Sequence, residues 1–231
     1  MDTTRRKFVG GGAALAGLAI TSVVTKAQAA LVERARDWDS QALDQITGRA
    51  AAHKLVFDCT GIKEGTFLNN VKNAFNGFQF GFAVEPGAVH LIAALHGAAN
   101  LVSFDDSMWA KYQLGDLYAV KDPATGGPAQ KNLFLARTAD PNDRDPDSER
   151  GIFQDKSVQG LQARGVDFLV CHTATEEQAR AIAKKLNLKT PPGEISRDLL
   201  AHRVPGTCVV PAMVTVLALL QQKGFAYVSL A

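Results

Sequence analysis

The chain has 231 residues, of which 46% are hydrophobic and 21% charged, and its formal net charge is +2. That is enough apolar material for one domain with a sizeable core, and it gives no basic footprint for nucleic acid or an anionic membrane surface. Three cysteines, Cys59, Cys171 and Cys208, leave at least one thiol unpaired within a monomer.

The chain opens with TTRRKFVGG, a Gly/Ala-rich stretch from Phe8 to Thr25, and the small residues Ala27-Gln28-Ala29. This resembles a bacterial twin-arginine export signal, which implies residues 1–29 as a signal peptide, a periplasmic destination and no membrane span after cleavage. The apolar run is near the minimum that could cross a bilayer, so an uncleaved anchor is the alternative, but its Gly and Ala content favours release. Cleavage after Ala29 removes four of the 25 basic residues and one of the 23 acidic ones, so the remaining domain, residues 30–231, carries −1.

Five segments then read as strands separated by helical patterns. KLVFDC (54–59) is a short apolar run closed by Thr60-Gly61, and residues 64–76 place Phe67, Leu68, Val71, Ala74 and Phe75 at helical spacing. AVHLIAAL (88–95) is a second buried run followed by His96-Gly97. DDSMWAKYQLG, with Asp105 and Asp106 at its start and Gly115 at its end, predicts a capped helix. From about 118 to 155 the density of Pro, Gly, Asn and Asp opposes packing and predicts a long surface excursion, a lid, an assembly element or a linker. KSVQGLQARG is a short helix leading into VDFLVC. Thr175–Leu186 and Glu194–Arg203 are further helices. TCVV is a strand, Pro211 suits the first turn of the helix AMVTVLALLQQK, Gly224 suits its end, and FAYVSL is the last strand. The helix over 212–220 is apolar on nearly every side and is expected to be buried or to meet another subunit.

Doubly apolar strands alternating with helices predict a three-layer α/β/α fold with a mainly parallel sheet of about five strands. In such sheets ligands sit beyond the carboxyl ends of the strands, where this chain places Cys59, His96, Cys171 and His172. Cys171 is the first candidate for chemistry. Thr173 and Glu176 have capping-box spacing, so a helix is expected to begin within two residues of the sulfur, and its positive end would favour thiolate. His172 is a neighbour that could handle the proton. The competing reading is a buried structural cysteine, since cysteine is among the residues most often buried. Cys59 shares the ambiguity, and a Cys59–Cys171 disulfide is conceivable if their strands are adjacent. Cys208 reads as a packed residue. No metal motif is present, and a site from His96, Cys171 and His172 ranks low. His90 reads as a satisfied core or interface residue. The glycine patterns lack the strand–turn–helix context of a dinucleotide site, so no cofactor is expected.

The segments AVHLIAALHGAA, SVQGLQARGVDFLVCHTA and VPAMVTVLALLQQKGFAYVSL together resemble the DsrE/DsrF-like family of small α/β proteins known from bacterial sulfur relays. The resemblance implies homo- or hetero-oligomers and, at the position Cys171 matches, a cysteine able to carry a persulfide. The export signal, the 118–155 excursion and the histidine after the cysteine depart from the short cytoplasmic members. The expected function is therefore a periplasmic sulfur-handling protein, a sulfane sulfur carrier or sulfurtransferase, working with an exported sulfur-metabolism partner. The alternative is a non-catalytic oligomeric binding or assembly module of the same fold.

Overall fold

The computed structural model describes residues 37–230. The export signal expected over 1–29 lies outside the described residues. Among the described residues, no helix is long and apolar enough to cross a membrane.

Five strands form one parallel sheet: β1 (His53–Cys59), β2 (Val89–Leu95), β3 (Asp167–Cys171), β4 (Cys208–Val210) and β5 (Ala226–Leu230). Their order is β4-β3-β2-β1-β5, so the chain steps outward from β1 to β4 and then returns to the other side of β1. Around the sheet lie α1 (Ser40–Gly48), α2 (Thr66–Asn76), α3 (Asp106–Lys111), α4 (Leu114–Leu117), α5 (Val158–Ala163), α6 (His172–Lys185), α7 (Pro192–Ala201) and α8 (Met213–Gln222). The three-layer α/β/α arrangement expected from the alternating pattern is the one the chain adopts.

Each strand alternates its side chains between two apolar layers, as the period of two requires. On one face Phe57, Cys59, Leu91, Ala93, Leu95 and Phe168 pack against α2 and α5. On the other face Val56, Ile92, Ala94, Leu169, Cys171 and Val210 pack against α8 and α1. β2 is buried along its whole length, which fits its central place in the sheet. A third cluster joins α3, α4, α6 and α7 around the fully buried Trp109 and Phe104.

Local departures from the sequence reading have simple causes. Asp105 caps α3 as expected, accepting from the amides of Ser107 at 2.9 Å and Met108 at 3.3 Å. The helix does not run to Gly115, because Gln113 turns left-handed at φ 50° and a second short helix follows. Gly115 is needed there for close approach: a Cβ would stand 2.2 Å from the Ala129 carbonyl oxygen. Pro211 precedes α8 by two residues rather than opening it, with Ala212 at the N-cap. Gly224, at φ 86°, ends that helix as expected.

The 118–155 segment has no regular helix or strand, only isolated bridges such as Lys121–Pro128 and Asp140–Gly151. Its composition does not keep it from packing, however. Ala129 is fully buried, and the buried Asn132 amide donates to the carbonyls of Val102 at 2.9 Å and Phe104 at 2.8 Å. A few side-chain-to-backbone bonds replace the ladder that Pro and Gly forbid. The apolar helix α8 is buried through Met213, Val216, Leu217 and Leu220, while Val214 (69% exposed) and Leu219 (45%) face outward.

Candidate functional site

The carboxyl ends of the strands bring Cys59, His96 and Cys171 to one rim, but not to one surface. β2 lies between β1 and β3, and Cys59 faces the α2 layer whereas Cys171 faces the α8 layer. Cys59 and Cys171 therefore cannot pair, and all three cysteines are free.

Cys171 is itself the N-cap of α6, so the helix begins at the next residue. Its Sγ accepts a hydrogen bond from the amide of Ala174 at 3.4 Å. A second amide, from Met213 at the first residue of α8, reaches the same sulfur at 3.4 Å. The starts of two helices of 14 and 10 residues thus converge on one sulfur atom. Both aligned peptide dipoles present their positive ends to it. The expected capping box is not formed; the Thr173 hydroxyl donates instead to the carbonyl of Pro211 at 3.0 Å, tying the two helix starts together.

The residue after β2 completes the arrangement. The pairing of β2 with β3 ends at Leu95 opposite Val170, so His96 and Cys171 are the next residues along these neighbouring strands. His96 keeps an extended backbone, which carries its side chain to the same face as Ala94 and Cys171. There its Nε2 is hydrogen-bonded to Asp58 Oδ1. The other carboxylate oxygen accepts from the Tyr227 hydroxyl at 2.6 Å. That bond holds the phenol proton and raises the Tyr227 pKa above its ordinary value. The row Tyr227, Asp58, His96 runs along one face from β5 through β1 to the residue after β2.

A buried polar bracket holds His96 and Cys171 in register. The side-chain oxygen of the fully buried Asn100 accepts from the Cys171 amide at 3.0 Å, and its nitrogen donates to Thr175 Oγ1 and Gln178 Oε1, both at 3.0 Å. Gln178 in turn donates to the Gly97 carbonyl at 2.8 Å. Gly97 holds φ 53°, and a Cβ there would meet the Thr60 carbonyl oxygen at 2.8 Å, so the turn after His96 requires glycine.

The other expected residues are placed elsewhere. His172 is buried with its Nε2 at 3.2 Å from Asp37 Oδ2 and its ring edge-on to Trp38, so its known partners are not the sulfur. Cys59 donates from Sγ to the Phe57 carbonyl at 3.4 Å; burial, then the charge of Asp58, pushes its thiol pKa far up. Burial also raises the Cys208 thiol, to about 11. His90 is fully buried in the core and bonded through Nε2 to Asp167 at 2.8 Å, but it is not fully satisfied, since its Nδ1 has no partner. Among the described residues no group of three or more His, Cys, Asp or Glu side chains is arranged to hold a metal ion.

Asp58, Tyr227, Asn100 and Gln178 are the residues that sequence reading missed. One signal was present: Asp58 stands inside the apolar run KLVFDC, and a carboxylate in a central strand needs a partner. Neither a scan against protein-family models nor a search of curated proteins finds a match for this chain.

Proposed function

We propose that the protein handles sulfane sulfur on Cys171, as a carrier or sulfurtransferase exported to the periplasm. The observation that carries this reading is the convergence of two helix starts on the Cys171 sulfur, with two amide donors aimed at it. Backbone N–H groups and helix N-termini are suited to negative charge, which both a thiolate and a persulfide carry. The resemblance of SVQGLQARGVDFLVCHTA to DsrE/DsrF-like proteins supports the same reading, and implies a partner that delivers or removes the sulfur.

In the proposed step the Cys171 sulfur attacks the terminal sulfur of a polysulfide. A new S–S bond forms at Cys171, the donor's S–S bond breaks, and the shortened polysulfide leaves with the electron pair and the thiol proton. In this proposal the relay of that proton falls to His96, on the same face of the sheet, through Nδ1, the ring nitrogen not held by Asp58. Asp58 and Tyr227 act as positioning residues: the carboxylate fixes the imidazole's tautomer and the phenol fixes the carboxylate. Cys171 is only 4% exposed, so on this reading uptake requires the elements that cover its sulfur to open.

Intact-protein mass spectrometry after incubation with polysulfide or thiosulfate tests the proposal. The expected result is a gain of one sulfur atom on the wild type that is absent from Cys171→Ser. A wild type that gains nothing, or a gain that survives Cys171→Ser, overturns it.

A further inference from the structure

A second site lies at the amino-terminal end of the sheet, away from Cys171, and its chemistry is cationic. Arg137, Arg144 and Arg164 line one cavity of about 180 Å³, with Asp155 and Ile152 among its walls. Among the described residues none of these three guanidiniums forms an ion pair. Asp155 is not their counter-ion: its carboxylate accepts from the backbone amides of Ser157 at 2.9 Å, Thr138 at 3.2 Å and Ala139 at 3.4 Å.

Arg164 is the informative member. Its guanidinium is half-buried over the ring of Phe75, 4.5 Å from the centroid, with Phe153 at 5.3 Å. Its polar contacts, to the carbonyl of Phe153 and to Gln79 Oε1, are both 3.4 Å, long for an N–H donor. Burial without a neutralising partner pulls its pKa down to about 10. The ammonium of Lys72 nearby is also held below its usual value, first by burial and then by the positive charges of Lys156 and Arg164. Lys72 thus feels the positive charges of Lys156 and Arg164, whereas burial alone lowers Arg164. A half-buried cation without a counter-charge is costly, and the two aromatic faces offset only part of that cost.

The geometry limits what can supply the missing charge. Arginine presents a planar fork of donors that matches oxyanions. A volume of about 180 Å³ is well below the roughly 300–1,000 Å³ of sites for drug-sized ligands. We propose that this cavity binds a small tetrahedral oxyanion, phosphate or sulfate, between Arg137, Arg144 and Arg164. The site is independent of the chemistry assigned to Cys171.

Calorimetric titration of the full chain with sodium phosphate and with sodium sulfate, against sodium chloride at matched ionic strength, tests this. One saturable site per chain for at least one tetrahedral anion is expected, with a matching rise in Tm. Arg137 and Arg144 are exposed, so Arg137→Glu and Arg144→Glu should leave the fold unchanged by circular dichroism and weaken binding by about tenfold or more. Arg164→Met should abolish binding, and the two exposed variants keep the test valid if that protein does not fold. Absence of saturable binding beyond chloride, or wild-type affinity in both Arg137→Glu and Arg144→Glu, overturns the proposal.

Discussion

Cys59 and Cys171 each end a parallel strand at the same rim, yet their sulfurs do opposite things. Cys59 donates its thiol proton to a carbonyl inside the α2 layer, where burial keeps it protonated. Cys171 accepts two amide protons at the starts of α6 and α8. What separates them is the next residue along the chain. After Cys59 come Thr60 and Gly61 and no helix begins at the sulfur; after Cys171 the helix begins at once. The direction of the hydrogen bond, more than the place at the rim, distinguishes a structural thiol from one suited to carry charge.

The largest expected effect breaks this comparison outright if it fails. Cys171→Ser should lose all sulfur uptake from polysulfide, whereas Cys59→Ala should keep it, as read by intact mass. Next in size is the row behind His96. Asp58→Asn should slow Cys171 persulfide formation by about 10–100-fold, the usual cost of losing an orienting partner. Tyr227→Phe should slow it by less. Stopped-flow rates across pH separate this from a folding defect, because only lost orientation changes the pH profile while leaving Tm nearly unchanged.

The bracket between the two rim positions gives a stability prediction. Asn100→Ala leaves the Cys171 amide, Thr175 and Gln178 short of partners, and should cost about 3 kcal/mol in urea unfolding. The smallest effect concerns Cys59 alone. Its pKa is raised on folding, so the unfolded chain loses its proton first, and the stability this contributes is present below about pH 8.5 and lost as pH rises. Wild-type stability should therefore fall by up to about 1.4 kcal/mol per pH unit more steeply above that point than in Cys59→Ala. Urea midpoints measured on both sides of pH 8.5 provide the check.

The periodicity of apolar runs made all five strands legible, and with them the rim that holds Cys59, His96 and Cys171. It could not reveal that β2 separates β1 from β3, because strand order depends on helix packing far along the chain. Period two also hid a consequence in KLVFDC. Asp58 and Cys59 are neighbours in sequence and therefore point to opposite layers, so the residue on the same face as Cys171 is the aspartate. Adjacency misled in the same way at Cys171-His172, where the imidazole turns to Asp37 and Trp38. The anchors of the 118–155 segment escaped notice because single residues such as Asn132, rather than any repeating pattern, hold it down.

The sulfur of Cys171 is also a joint between two structural elements that share no covalent neighbourhood. That Sγ accepts from the amide of Ala174, in α6, and from that of Met213, in α8. On the proposed function, a load on that sulfur would be felt at the start of α8, whose outer side exposes Val214 and Leu219. A partner resting on that helix would read the redox state of a residue it never touches, and amide hydrogen exchange at Met213 would report it.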